Sequence, residues 1–200
     1  MSKYPSDVLT MEAIVKRNIG AKPALYPMPV IVVGAMNGDE PTWTLVAHTG
    51  IPSHSKIMVS LAGAHFINQR IKQASVLSVN VVDESWLDRA DFCGSVSGAR
   101  ESKADVFAWT AGEAGTPLID DAKLSMECRV EDVYEIDHFE NFICSVVGTY
   151  ADDSIVTEDG KVDVAALRPV LFEMPTYTYL ATGEKIADCL SFAKVRKATE

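Results

Sequence analysis

An Asn37-Gly38 pair lies between two apolar runs, Val30-Ile31-Val32-Val33-Gly34-Ala35 and Trp43-Thr44-Leu45-Val46-Ala47. No other feature constrains the fold as strongly. Asn-Gly is the strongest short-range signal for a tight hairpin, so strands 30–35 and 42–47 are expected to pair antiparallel across the turn Met36–Glu40. A parallel α/β fold needs a helix between successive strands, and a hairpin this early breaks that rhythm. Ahead of it, Pro23, Pro27 and Pro29 remove donors and clash with a preceding turn, which makes 23–29 an extended lead-in.

From Glu40 to Asn80 the chain reads as strand, exposed polar loop, strand, short helix, strand. The run Trp43–Ala47 enters a His/Thr/Gly/Ser loop and returns through Ile57-Met58-Val59-Ser60-Leu61. A helix Phe66–Gln73 leads into Val76-Leu77-Ser78-Val79-Asn80. Further on, a helix is expected at Ser85–Phe92 with Ser85 as its cap, then a small-residue loop Cys93–Arg100 and a second short helix Lys103–Thr110. Ala111–Asp121 reads as a connector. Lys123–Ile136 alternates as a half-buried strand, Asp137–Glu140 turns, and Asn141–Val147 returns. Glu158-Asp159-Gly160 is a tight turn, Met1–Lys22 is expected to hold a strand or short helix with Thr10–Glu12 opening Ala13-Ile14-Val15, and Asp188–Lys197 reads as a final helix. Short strands with hairpin turns and few helices predict a mainly β fold. It is read as a closed or partly closed antiparallel barrel in a single domain spanning residues 1–200.

Composition narrows function. The 200 residues carry 18 basic and 28 acidic side chains, a net charge of −10. That excludes non-specific nucleic-acid binding, which needs a cationic face; an anionic ligand would need local donors. No apolar run reaches the length of a membrane span, and the N-terminal residues lack a signal-peptide core, so a cytoplasmic protein without a membrane role is expected. Cys93, Cys128, Cys144 and Cys189 form no C-x-x-C pair and read as reduced, buried thiols. The nucleophile and metalloprotease signatures G-x-S-x-G and H-E-x-x-H are absent, as is the dinucleotide fingerprint G-x-G-x-x-G.

The ordered strings TWTLVAHTG, IMVSL, HFINQRIKQASVLSVNV and DFCGSVSGARESK resemble the flavin-reductase-like proteins with an FMN-binding split barrel, and most of all the flavoredoxin branch. The likeness continues through LSMECRVEDVYEIDHFENFICSVV and TYTYLATGEKI and covers roughly Ala24 to Phe192. It implies a homodimer of antiparallel split barrels with FMN in a groove near the interface. The flavin wall carries over to Thr44, Leu45, Val46, Ala47, His48 and Thr49, and to Ser60, Leu61 and Ala62. The phosphate turn maps to His65, Phe66, Ile67 and Asn68, the strand end to Asn80, and the small-residue loop with its lysine to Cys93, Gly94, Ser97, Gly98 and Lys103. Departures fall at Thr42 and Leu45, at Lys56-Ile57 in place of a proline pair, and at His65 and Ile67 where arginine with serine or threonine is usual.

Several residues have two readings. His65 is a phosphate contact or an exposed loop histidine. Lys103 stabilises the anionic edge of a reduced flavin or is a solvated lysine. His48 and His54 face a nicotinamide or only water, and Cys93 is redox-active beside the flavin or a core thiol. Tyr177 and Tyr179 read as packing residues. The resemblance implies an FMN-dependent oxidoreductase relaying electrons from NADH, NADPH or a redox partner protein. The alternatives are a non-catalytic FMN-binding electron carrier and a flavin-free structural dimer.

Overall fold

The structure, a computed structural model, describes residues 14–191. In chain order the elements are β1 (Met28–Pro29), β2 (Ile31–Asn37), β3 (Glu40–Val46), β4 (Thr49–Ser53), β5 (Lys56–Ala62), α1 (Ile67–Ala74), β6 (Val76–Val81) and α2 (Leu87–Ser95). Then follow β7 (Trp109–Ala111), β8 (Pro117–Ile119), β9 (Leu124–Ile136), β10 (Phe139–Ala151), α3 (Val164–Leu167), β11 (Leu171–Glu173) and β12 (Thr178–Leu180).

The opening hairpin forms as expected. β2 and β3 pair antiparallel from Ile31 opposite Val46 to Asn37 opposite Glu40, leaving Gly38-Asp39 as the turn, with Gly38 at φ +67°. Seven antiparallel strands make one sheet in the order β3-β2-β6-β9-β10-β5-β4. Its edge strands β3 and β4 are consecutive in the chain, and the Ser60 amide of β5 donates to the carbonyl of His48, between them, at 2.9 Å. The chain leaving β3 thus runs directly onto β5, and the sheet curls into a barrel split along β3.

Two cores result, one on each face of β2. Ile31, Val33 and Ala35 point into the barrel with Val59, Leu61, Leu77, Phe142 and the α1 residues Ile67 and Ile71. Val30 and Val32 point outward against Trp43, Trp86, Ala90, Cys93 and Phe107. Burial on both faces explains why β2 reads as an unbroken apolar run rather than an alternating one. Phe107 meets Trp43 and Trp86 edge-on, each at 5.5 Å between centroids, and this outer core fixes α2 against β3.

The structure corrects five expectations. The polar loop after β3 is a strand: β4 pairs with β5, and Pro52, which donates nothing, is tolerated on this edge. Cys93, Gly94 and Ser95 close α2 instead of leaving it, because Cys93 packs beside Ala90 in the outer core. Asp83, not Ser85, is the cap; its carboxylate accepts the Ser85 amide at 2.8 Å and begins a 3-10 turn ahead of α2. Lys103–Thr110 is one 3-10 turn followed by β7, since Phe107 must extend into the aromatic core. The connector 111–121 contains β8, paired with β7.

The β9–β10 hairpin appears as read but longer, turning through Asp137 and His138, both at positive φ. The Glu158–Gly160 turn is also present, spanned by a Val156–Val162 bridge. Of the element expected within Met1–Lys22, residues 1–13 lie outside the described residues and 14–22 form neither strand nor helix; most of Asp188–Lys197 also lies outside them, with Cys189–Ser191 forming a turn.

Candidate functional site

The split leaves the outer edge of β3 unpaired, and α2, the loop after β5 and the β11–β12 hairpin rise around it. Three cavities that share lining residues follow this edge and the segment after it. The first, about 320 Å³, is formed by Thr42 and Thr44 of β3, His65 and Phe66 before α1, and Ser95, Ser97, Gly98, Arg100 and Lys103 after the core of α2. Gly94 and Ser95 are shared with a second of about 380 Å³, where Leu45, Ala47 and His48 face Asp91, Phe172, Tyr177 and Tyr179. Ala47 and His48 are shared in turn with a third of about 440 Å³ lined by Tyr26, Thr49, Met58, Ser60 and Phe139. Gly94 is needed at the waist, for a Cβ there would lie 3.0 Å from Cβ of Leu45.

The first cavity is electrostatically distinctive. Lys103 is only 4% exposed. Its Nζ donates to the Trp43 carbonyl at 3.0 Å and the Cys93 carbonyl at 2.6 Å. Among the described residues no carboxylate forms an ion pair with it. Carbonyl dipoles hold the ammonium but do not cancel its charge, and burial pushes its pKa down. His65 shares the cavity, with Nδ1 3.5 Å from the Thr44 hydroxyl. Burial lowers its pKa first, and the Lys103 charge lowers it further. α1 begins here with no side-chain cap and no acidic residue in its first turn; the Asn68 amide donates to the His65 carbonyl at 3.2 Å, and the positive end of the helix faces this cavity.

The third cavity is mostly apolar, and the second mixes apolar walls with His48, Asp91, Ser95, Tyr177 and Tyr179. Tyr179 donates to Asp91 at 2.5 Å, and burial first, then that bond, pushes its pKa well up. Phe172 packs against Tyr177 and Tyr179 at 6.0 and 5.7 Å. The His48 ring lies edge-on to Phe139 at 5.7 Å, and its Nε2 is 3.2 Å from the Tyr26 hydroxyl.

Of the residues marked in the sequence, the groove gathers Thr44, Leu45, Ala47, His48, Thr49, Ser60, His65, Phe66, Ile67, Gly94, Ser97, Gly98 and Lys103. It does not gather Val46 and Leu61, which face the barrel core, or Ala62, whose carbonyl accepts Asn68 Nδ2 at 3.0 Å. Asn68 is buried and also donates to Glu140 at 2.7 Å. Asn80 is a structural cross-link, donating to the Val32 carbonyl at 3.2 Å and accepting from the Ile119 amide at 3.0 Å and Ser125 at 2.7 Å. Cys93 gives the site its carbonyl only; burial pushes its thiol up to about 11. Lys103 sits with His65 and not with Ala47 and His48, so its charge faces the first cavity.

Sequence reasoning missed Arg100, Asp91, Tyr26, Phe139 and Phe172, and gave Tyr177 and Tyr179 a packing role only. A cation in a glycine- and serine-rich loop was the one signal that could have drawn attention to Arg100.

The model of the flavin reductase like domain family matches residues 24–178. The FMN reductase (NADH) RutF 2 of Rhizobium rhizogenes is 30% identical over 78 residues, 39% of this chain and 44% of that protein. The chain spans 44% to 58% of the length of the curated relatives it matches. Flavoredoxin from Methanosarcina acetivorans superposes with a TM-score of 0.85 at 25% identity, covering 92% of this chain and 100% of that one. Flavoredoxin of Desulfovibrio vulgaris (Miyazaki F) gives 0.81 at 26% identity, covering 90% and 100%.

Proposed function

This chain belongs to the flavin reductase-like family, and from that premise we propose that the groove along β3 binds FMN and serves an oxidoreductase. The carrying observation is the buried Lys103 ammonium, held by two carbonyls, without a carboxylate partner among the described residues, in a cavity it shares with His65. Such a charge is costly to bury alone, and a phosphate supplies what the protein omits. Lys103, His65, Thr44, Ser97 and Gly98 would hold the phosphate. Leu45, Ala47 and His48, facing Phe172 and Tyr179, would line the remainder of the cofactor.

Flavin, when bound, supplies the electron-transfer chemistry. The chain's own residues bind, neutralise and exclude water. Lys103 neutralises the anion and His65 hydrogen-bonds it, the aromatic trio of Phe172, Tyr177 and Tyr179 flanks the groove, and Tyr26 fixes the His48 ring at the open end. In this reading the electron donor is NADH or NADPH. The likeness to two flavoredoxins over nine-tenths of the chain favours a second reading, an FMN-binding electron carrier served by a redox partner protein. We also place the protein in the cytoplasm as a homodimer. Ile136, 61% exposed, and the exposed Tyr134 form an apolar patch on β9 beside the groove, and a second copy would cover it.

Purified protein should show flavin absorbance or take up added FMN; failure of both removes the flavin readings and leaves the flavin-free dimer. Stopped-flow mixing with NADH or NADPH separates the first two. Bleaching of the flavin bands within seconds supports the reductase, and inertness supports the carrier.

A further inference from the structure

His65 is only loosely held by its own side chain. Its Nδ1 stands 3.5 Å from the Thr44 hydroxyl, the long limit of a hydrogen bond. The backbone of the turn between β5 and α1 therefore decides where the imidazole stands. We propose that Glu140 of β10, which does not line the cavity, is the positioning residue for His65, acting through Asn68 on that turn. The consequence for FMN rests on the flavin reading above; the geometry does not.

Asn68 is 1% exposed, and its Nδ2 donates both to the Ala62 carbonyl at 3.0 Å, where the turn begins, and to Glu140 Oε2 at 2.7 Å. One amide thereby spans the turn and ties it to β10. The Glu140 side chain, 17% exposed, takes Lys72 Nζ on its other oxygen at 2.6 Å. It grips α1 at residues 68 and 72, which lie one above the other on the same face of the helix. The turn is fastened at its start as well. The Gly63 amide donates to the His138 carbonyl at 2.8 Å, and a Cβ on Gly63 would stand 3.0 Å from that oxygen. Within the turn, the His65 amide donates to the Ala62 carbonyl at 2.9 Å.

The orientation of Asn68 is not the one that satisfies it best. Its Oδ1 is buried without a partner, so the two donated bonds alone hold the amide, and the charged acceptor Glu140 makes the stronger of them. Lys103 and Arg100 are the charged groups that line the cavity with His65, and Arg70 lies over the neighbouring Phe66 ring at 4.5 Å. Glu140, Lys72 and His138 line no part of it. A direct charge effect and a positioning effect of Glu140 have opposite signs. Loss of a nearby negative charge lowers a histidine pKa. Loosening the turn admits water to the ring and relieves the burial that holds the His65 pKa down.

NMR titration of the histidine side chains in flavin-free full-length protein tests this, with His65→Gln assigning the His65 signal. Wild type is compared with Glu140→Ala and Glu140→Gln; the latter keeps an oxygen for Asn68 and gives up only the ion pair to Lys72. The His65 pKa should rise in Glu140→Ala towards the ordinary value of about 6.5 and stay low in Glu140→Gln. FMN titrations should agree. The gain in affinity from pH 8 to 5.5, about three- to tenfold in wild type, should shrink below about twofold in Glu140→Ala and survive in Glu140→Gln. Glu140→Thr, β-branched and suited to a strand, replaces Glu140→Ala if that variant does not fold. A His65 pKa in Glu140→Ala at or below the wild-type value, or a Glu140→Gln shift as large as that of Glu140→Ala, overturns the proposal and leaves the flavin reading intact. The expected pKa pattern without FMN binding in any variant supports the positioning role and removes the flavin reading.

Discussion

Two buried charges, Glu127 and Lys103, are handled in opposite ways. Glu127 is 1% exposed. It accepts the Ala114 amide at 2.9 Å, the Thr116 hydroxyl at 2.9 Å and amide at 3.4 Å, and the Tyr150 hydroxyl at 2.7 Å. Gly112 closes the cage, since a Cβ there would fall 2.3 Å from the carboxylate. Burial pushes the Glu127 pKa up, yet the bonds from Tyr150, Thr116 and Ala114 outweigh it and hold the carboxyl below its usual range. Lys103 has two carbonyls, a second basic group close by, and a cavity in front of it. Glu127 is complete without a ligand and fastens the β7–β8 hairpin to β9. Lys103 is not, and that difference separates a structural charge from a binding one.

The largest expected effect breaks the comparison on its structural side. Glu127→Leu orphans the Ala114 and Thr116 amides, at about 1–3 kcal/mol for each buried donor left unmade. Denaturant unfolding should show a loss near 3 kcal/mol or failure to fold. A loss below about 1 kcal/mol would mean that the cage is not closed. Lys103→Met should act mainly on binding. It removes an uncompensated buried cation but leaves the Trp43 and Cys93 carbonyls without a donor, so stability of the flavin-free protein should change by no more than about 1 kcal/mol, while FMN affinity falls roughly 10- to 100-fold.

A smaller effect sharpens the comparison through pH. The His65 pKa is lowered in the fold, so the unfolded chain binds the extra proton first. Its contribution to stability is present above about pH 6.5 and is lost as pH falls through the folded value. A phosphate in the cavity favours the protonated ring, so binding takes up a proton and FMN affinity should rise about three- to tenfold from pH 8 to 5.5. His65→Gln should flatten that profile; a flat wild-type profile takes His65 out of the site. Glu127 loses its stabilising contribution only as pH falls through a carboxylate value below the usual one, so the two titrations separate on the pH axis.

The smallest effect is chemical. With the Cys93, Cys128 and Cys144 thiols pushed up to about 11, 12 and 12 by burial, iodoacetamide at neutral pH should label the exposed Cys189 and spare these three. Flavin-dependent labelling of Cys93 would restore a redox role for it.

What could be read from the sequence was local. Asn37-Gly38 and Asp137-His138 announce hairpins because turn geometry depends on adjacent residues, and the alternation of β9 follows from a period of two. What could not be read was convergence. Phe172 and Tyr179 meet Leu45 and Ala47 only once β11 and β12 fold back over α2. Asn80 was marked because the resemblance places a strand-ending asparagine at the flavin. In the barrel its amide is used up by Val32, Ile119 and Ser125. Lys103 was marked in the sequence, but the pairing of its ammonium with carbonyls rather than a carboxylate is a tertiary fact.

The most direct test of the central claim compares FMN with riboflavin, which lacks the phosphate, in titrations of wild type and Lys103→Met. If the Lys103 cavity is the phosphate site, FMN should bind wild type at least about tenfold more tightly than riboflavin, and the variant should bind the two nearly alike. Equal affinities in the wild type, or a preference that survives in Lys103→Met, would contradict it.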